Sequence, residues 1–548
     1  MRTFRILLIA FLISLCSFSI TARERNQHDH QHSHDDNLGK VSFPVSCTEV
    51  QKQFNRAVAL LHSFWYEEAE KAFLDITKQE PRCAMAYWGI AMSNYHPIWA
   101  PPTPAELGRG RTAVEKAISI SGMNKRENDL IAAIEAFYKD SDNVDHRARS
   151  LAYERAMERL HLRYPQDREV AIFYALSLLG TALPTDKSYA NQKKAAEILN
   201  NVLPDEPEHP GVAHYIIHSF DYPQLANLAL PAARVYAKIA PSSPHALHMP
   251  THIFTRLGLW QESIRLNLAS ADVAKRHVAR IHPGAGSFDQ LHAMDYLVYA
   301  YLQGAQDKAA RRVLDELALI NKVDVDNFAA AYAFAAAPAR YALERRRWSE
   351  AAALNVHPSS FPWKSYPYAE AITYFARAIG AARNGDAAAA RKEVERLSSI
   401  QRALADAKES YWANQVEIQR RAAAAWLAKA AGMNEEALKL MRSAAELEDS
   451  TEKHPVTPGA VIPARELLAD MLTELDQNEE AIHEYESSQR NSPNRFNAFY
   501  GMARAAKKLG DREKLRSVYA KLIELCGQAD GERPELKEAR EFLSENRQ

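Results

Sequence analysis

Along most of the chain, apolar residues recur every three or four positions in segments of about 10–20 residues, separated by short polar breaks that often carry Pro or Gly. That period predicts amphipathic helices. Ala69 and Phe73 stand four apart on one of them, and Pro81 ends it. A small residue lets a second helix approach, an aromatic ring fills the groove between the two, and proline stops the helix. Tyr87 and Trp88 open the next segment. The pattern returns at Ala195, Leu199, Val202 and Pro207, then 34 residues on at Ala229 and Pro241, and again at Gly258 with Ser263. Near the C-terminus it recurs at Ala437, Met441 and Ala444, at Ala481, Tyr485 and Pro493, and at Phe499, Ala503, Gly510 and Tyr519. A repeat of this length predicts stacked helix–turn–helix units over residues 48–530, with no substantial sheet. Only 19 glycines and many alanine-rich segments agree with that reading.

Ala-x-x-x-aromatic on a second helix, closed by proline, resembles the consensus of the tetratricopeptide repeat (TPR) family. The resemblance implies an all-α fold, a TPR-like α-solenoid of about a dozen helical hairpins. It also implies that the first helix of each unit lines a concave groove, where most ligands of that family bind. A peptide or protein partner is therefore expected. The pattern departs at Trp99–Pro104, His282–Gly286, His357–Pro367 and His454–Pro463, Pro- or Gly-rich insertions that predict long loops between helices. The expected division is an N-terminal solenoid over 48–327 and further helical repeats over 328–548.

Within this frame the histidines are unevenly spread. Nine of the chain's 20 lie in residues 209–292, too many for even scatter. Two His-x-x-x-His pairs, His214/His218 and His248/His252, are 34 residues apart. A spacing of four puts both members on one helix face, and one repeat length puts the pairs on the same face of successive first helices. Ala213, Ile216, Ile217 and Phe220 are then core positions, as are Leu247, Pro250, Thr251 and Phe254. His214, His218 and Asp221 face the groove, followed by His245, His248 and His252, and then by His292, Asp295 and Tyr299. His214, His218, His248 and His252 are the candidate ligands of a shared ion, with Asp221 and His292 as further ligands or as partners orienting the imidazoles. Imidazoles with a carboxylate suit Zn²⁺ or another divalent transition metal such as Cu²⁺ or Ni²⁺. His245, Asp295, Tyr299 and Arg256 are candidate ligand contacts. His62 and His96, also 34 apart, read as helix-end histidines bonded to a loop.

Composition narrows the function. A formal net charge of −1 excludes the basic surface of a nucleic-acid binder. Met1–Ala22, with Arg2 and Arg5 before an apolar run, reads as a secretory signal, and no later run is long enough to cross a membrane. Leu15 before Cys16 disfavours a lipid anchor. Residues 23–47 read as a disordered segment carrying His28, His30, His32 and His34, a loose metal-capturing tract or a solvated tail. Export to a periplasmic or extracellular space permits a Cys47–Cys83 disulfide between adjacent helices. There is no His-Glu-x-x-His, nucleophile elbow or phosphate loop, so no catalytic residue is assigned. Three readings stand at this point: a groove binding a peptide or protein; the same groove holding a metal, as a binding protein or a metal-dependent hydrolase; and a buried structural histidine cluster.

Overall fold

The computed structural model describes residues 37–98 and 101–545. The signal segment, Cys16 and the histidine tract at 28–34 lie outside the described residues. Helix follows helix from Gln51–His62 to Pro534–Glu545, and among the described residues the only β contact is one bridge, Gly286 to Val323. The all-α solenoid expected from the repeat is the architecture observed. No helix among the described residues is long and apolar enough to cross a membrane.

One turn recurs where helices reverse. A residue in the left-handed region follows the first helix, and the next backbone N–H closes onto the carbonyl five positions back. Phe64 (φ 53°) precedes the bond from Trp65 to Leu60, Gly258 (φ 64°) that from Leu259 to Phe254, and Ala305 (φ 54°) that from Gln306 to Tyr301. Arg346, Asp476 and Gly510 repeat the arrangement. At Gly258 the small residue has a second reason. A Cβ there would lie 2.7 Å from the Pro493 carbonyl oxygen, where Trp260 Nε1 donates to Asn494 O at 2.7 Å.

The apolar core forms two clusters, one running from Leu38 to Leu266 and the other from Trp260 to Ala539. They meet on the helix Trp260–Ile281, well before residue 327, where the sequence pattern alone suggested a division. Residues 37–47 belong to the first cluster and are packed, in contrast to the disorder expected through residue 47. Leu38, Phe43 and Val45 are buried, and the Phe43 ring lies 5.4 Å from Phe54 and 5.3 Å from Trp88. Cys47 and Cys83 are joined, with their Cα atoms 5.4 Å apart and 36 residues between them in sequence. Opening a loop of this size removes about 3–4 kcal/mol in the chain-entropy account. Cys83→Ser is therefore expected to lower the urea midpoint, and the addition of reductant is expected to have no further effect on the variant.

Both ends of the ladder fold back onto its middle. His62, ending the first helix, meets Tyr215 Oη at 2.9 Å. From the other end, buried Arg495 pairs with Glu466 and Glu344 and donates to Tyr299 Oη at 2.8 Å. Phe496 N donates to Gln303 Oε1 at 3.0 Å. The helices between Pro210 and Gln303, which carry the histidines, are thus held from both sides.

Candidate metal centre

The helix Pro210–Phe220 begins with His209 as its cap, whose Nδ1 accepts from Gly211 N, and with Pro210 in the first turn. The expected core positions Ala213, Ile216, Ile217 and Phe220 are buried. The next first helix is two segments, Pro244–His248 and Pro250–Arg256, because Pro250 has no N–H to donate. The third is Phe288–Gln303.

Six imidazoles from these three helices form two trios. His214, His218 and His245 bring one nitrogen each within 4.8 Å of one another, and so do His248, His252 and His292. His214 Nε2 lies 3.0 Å from both His218 Nε2 and His245 Nε2, and His248 Nε2 lies 3.0 Å from His252 Nε2. The two His-x-x-x-His pairs therefore do not combine around one ion, as the 34-residue coincidence suggested. Each pair stays on its own helix and takes its third member from the following first helix. Steps of 34 and then 47 residues carry Gly211 to His245 and His292, His214 to His248 and Asp295, and His218 to His252 and Tyr299. The two trios are thus successive copies of one arrangement, and the copy ends where Asp295 and Tyr299 replace the histidines. At the other end Gly211 stands in the third-ligand position. A Cβ there would lie 2.6 Å from His62 Nδ1.

Proton positions follow from the partners. His248 Nδ1 lies 2.7 Å from Asn267 Oδ1. The Asn267 amide is oriented by its Nδ2, which donates to Ser263 O at 3.0 Å, so Oδ1 only accepts and His248 Nδ1 carries the proton. His252 Nδ1 donates to Asp221 Oδ2 at 3.1 Å. In the neutral tautomers so fixed, both Nε2 atoms are bare lone pairs facing each other at 3.0 Å. His214 Nδ1 likewise donates to His62 O at 2.7 Å. Its single Nε2 lone pair then faces two nitrogens, of which it can accept from only one.

Burial pulls His214, His218, His245, His248 and His292 well below the ordinary imidazole value, with repulsion from another imidazole of the same trio next in each case. His252 is lowered by burial against the opposing pull of Asp221, and it repels all three members of the first trio. Phe64 lies over the first, 4.4 Å from the His214 ring and stacked on His218 at 5.5 Å, and Tyr236 stacks on His214 at 5.1 Å. Tyr296 stacks on His252 at 5.0 Å. His214, His248 and His252 are buried, whereas His218, His245 and His292 are half-buried and form the open side.

The other residues expected at the site are used internally. Asp221 joins neither trio. It accepts from His252 and, at 2.9 Å, from Arg256 Nε, with Lys453 Nζ at 3.8 Å. Burial opposes its ionisation, but Lys453, Arg256 and His252 together hold it well below the carboxylate range. Asp295 is paired with Arg340 at 2.6 Å, and Tyr299 with Arg495. Removing the Asp221 acceptor loosens the tautomer and orientation of His252. Were the second trio to hold an ion, Asp221→Asn, which removes the charge and one of the two acceptor oxygens, would be expected to weaken its retention about 10–100-fold while the fold persists, as read by competition with a chelator.

A third group, His62, Glu169 and His209, satisfies itself without an ion. His62 Nε2 and His209 Nε2 donate to the two Glu169 oxygens at 3.0 and 3.1 Å. Their Nδ1 atoms accept from Tyr215 Oη and from Gly211 N. His62 is thus a helix-end histidine in a buried network, and its carbonyl orients His214. Burial would raise Glu169, but His209 and His62 outweigh it and bring the carboxyl down from 4.5 to about 2. A depressed carboxyl stabilises the fold at pH values above its unfolded pKa, and that contribution is lost as pH falls from about 4.5 through 2. Glu169→Gln should therefore lower the melting temperature at neutral pH and flatten its decline in that acid range. Glu169, His209, Asn267 and Lys453 carry no periodic signal and were not legible in the sequence.

Past the trios, the loop after the helix Asn434–Asp449 lies against the first-helix side chains. Tyr296, Tyr332 and Tyr411 donate to the carbonyls of Val456, Gly459 and Glu452 at 3.2, 3.1 and 3.1 Å. A cavity of about 180 Å³ remains beside it, bordered by Arg256, Tyr299, Trp412 and Lys453. Burial pulls Lys453 down to about 7.

No protein-family model and no curated protein matches this chain. Among solved structures it is similar to the TPR domain of P58(IPK), with 13% identity and a TM-score of 0.21 over 70% of this chain and 99% of that one. It is similar also to yeast Tom70, with 11% identity and a TM-score of 0.28 over 91% of this chain and 96% of that one. At these TM-scores the likeness carries nothing for the site, whose reading rests on its own geometry.

Proposed function

We propose that this chain is a metalloprotein in which a helical-repeat scaffold holds two transition-metal ions, one in each histidine trio. The observation that carries the reading is the pair of bare Nε2 lone pairs of His248 and His252 facing each other at 3.0 Å, each ring's other nitrogen being committed to an acceptor. Two such lone pairs repel, and a cation between them turns the repulsion into two bonds. With metal–nitrogen bonds of about 2.0–2.1 Å, nitrogens 3.0 Å apart subtend roughly 95° at the ion. Three donors at such angles cap one side of an ion and leave the other side open. Orientation of each buried ring by an oxygen acceptor is the usual companion of metal ligation.

Export supports the reading and is part of the proposal: the Cys47–Cys83 bridge fits an oxidising compartment. A peptide or protein partner is the second reading. It is favoured by the cavity beside Trp412, and by groove side chains that already grip the carbonyls of an extended segment of the same chain. The test is metal analysis of the purified full chain after dialysis against each of Zn²⁺, Cu²⁺ and Ni²⁺. Two ions per chain, falling when trio histidines are replaced, supports the proposal. Retention of none rejects it.

A further inference from the structure

Beyond the metal reading and independent of it, we propose that the cavity beside Trp412 binds a free amino acid with an aromatic side chain, held as its zwitterion. Most charges around that cavity are already matched. Asp449 and Arg465 pair with each other at 2.5 Å, and Glu452 pairs with Lys187 at 2.6 Å. Two charges are not matched. Glu448, half-buried near the end of the helix Asn434–Asp449, pairs with no cation among the described residues and accepts from Ala464 N at 2.9 Å. Lys453 reaches no carboxylate closer than Asp221, at 3.8 Å, and that carboxylate is already held by Arg256 and His252. Its Nζ otherwise donates to the carbonyls of His454 and Pro455 in its own loop. Both side chains border the same cavity. Burial pushes Glu448 up to about 8 and pulls Lys453 down to about 7, each toward its neutral form, as happens to a charge taken from water without a partner.

A zwitterion supplies both missing partners. Its carboxylate suits Lys453 and Arg256, which commits Nε and Nη2 to Asp221 and keeps Nη1 for another acceptor. Its ammonium suits Glu448. The dimensions agree: a cavity of about 180 Å³ is about 7 Å across, and two hydrogen bonds plus the short step across an α-amino acid span about 8 Å. Ser488, 4% exposed, also borders the cavity, and its Oγ has no hydrogen-bond partner. Tyr332, Tyr411, Trp412 and His454 add ring surface, with Trp412 and His454 stacked at 5.1 Å. A cavity of about 150 Å³ already holds benzene, so an aromatic side chain fits against these rings.

The test is calorimetric titration of the full chain with phenylalanine, with 3-phenylpropionate, which lacks the ammonium, and with phenethylamine, which lacks the carboxylate. EDTA is present so that no metal ion can hold the amino acid. The expected result is saturable binding of one phenylalanine per chain and binding of either analogue weaker by about tenfold or more, the usual loss of one charge-assisted contact. Glu448→Gln, which keeps an acceptor for Ala464 N, should weaken phenylalanine and leave 3-phenylpropionate unchanged. Lys453→Met should weaken phenylalanine and leave phenethylamine unchanged. The melting temperature of each variant without ligand reports its fold. No saturable binding of phenylalanine overturns the proposal. So does 3-phenylpropionate binding as tightly as phenylalanine, which marks a carboxylate-only pocket of the kind a peptide's last residue would use. Neither outcome touches the metal reading, whose test is the ion count.

Discussion

Replacing His248 with alanine is expected to halve the metal content of the protein, from two ions per chain to one. The side chain supplies one of three nitrogens to its trio, and its ring is fixed by Asn267. Two imidazoles alone form a weak site that dialysis empties, whereas the first trio draws on His214, His218 and His245 and is left whole. The effect has a thermodynamic counterpart. A ligand present at about 100 times its dissociation constant stabilises the native state by about 2.7 kcal/mol per site, so metal should raise the melting temperature of the variant by about half the wild-type increment. His214→Ala should act in the same way on the other trio. His277→Ala, a histidine in neither group, should change neither number. Metal analysis and a melting titration on the same samples measure both effects, and an unchanged metal content in both trio variants would remove the centre.

The largest purely structural loss is expected at Arg495. Its guanidinium is fully buried, pairs with Glu466 and Glu344, and donates to Tyr299. Arg495→Met fills much of the volume but leaves two buried carboxylates without a cation. Breaking such a network costs about 3–5 kcal/mol, visible as a lower urea midpoint. Burial already pushes Glu466 up to about 7 against the pull of Arg495. Without the arginine the Glu466 carboxyl rises further, so the deficit is largest above about pH 7 and shrinks as pH falls and Glu466 protonates. The trios lie outside this network, and metal content should stay at the wild-type level. This separates loss of stability from loss of the site.

The scaffold was legible because packing imposes it locally. Ala69, Phe73 and Ala229 recur at fixed spacing since helices can approach only where a small residue meets an aromatic one, and all three are buried. The histidines were legible as a stripe but not as a partition. A step of one repeat identifies equivalent positions, which is why His214 and His248 stood out together. Contact between neighbouring helices is not contact between equivalent positions, because the face of one helix that looks forward meets the face of the next that looks back. Across the first trio His214 meets His245, one turn earlier than its equivalent His248. His245 was therefore read as a ligand contact and His248 as sharing an ion with His214. Asp295, Tyr299 and Arg256 were read as facing a ligand; each also has a charged partner distant in sequence, at Arg340, Arg495 and Asp221, and Tyr299 and Arg256 border the cavity. Periodicity carries no information about such pairings.

Each trio borrows its third imidazole from the following helix, and this has a mechanical consequence. An ion seated there is a rivet between rungs. It resists the sliding and unwinding by which a spring-like array of hairpins normally stretches. The pitch of the segment from Pro210 to Gln303 would then be set by the supply of metal, and starving the protein of it would soften the middle of the spring while both ends kept their stiffness.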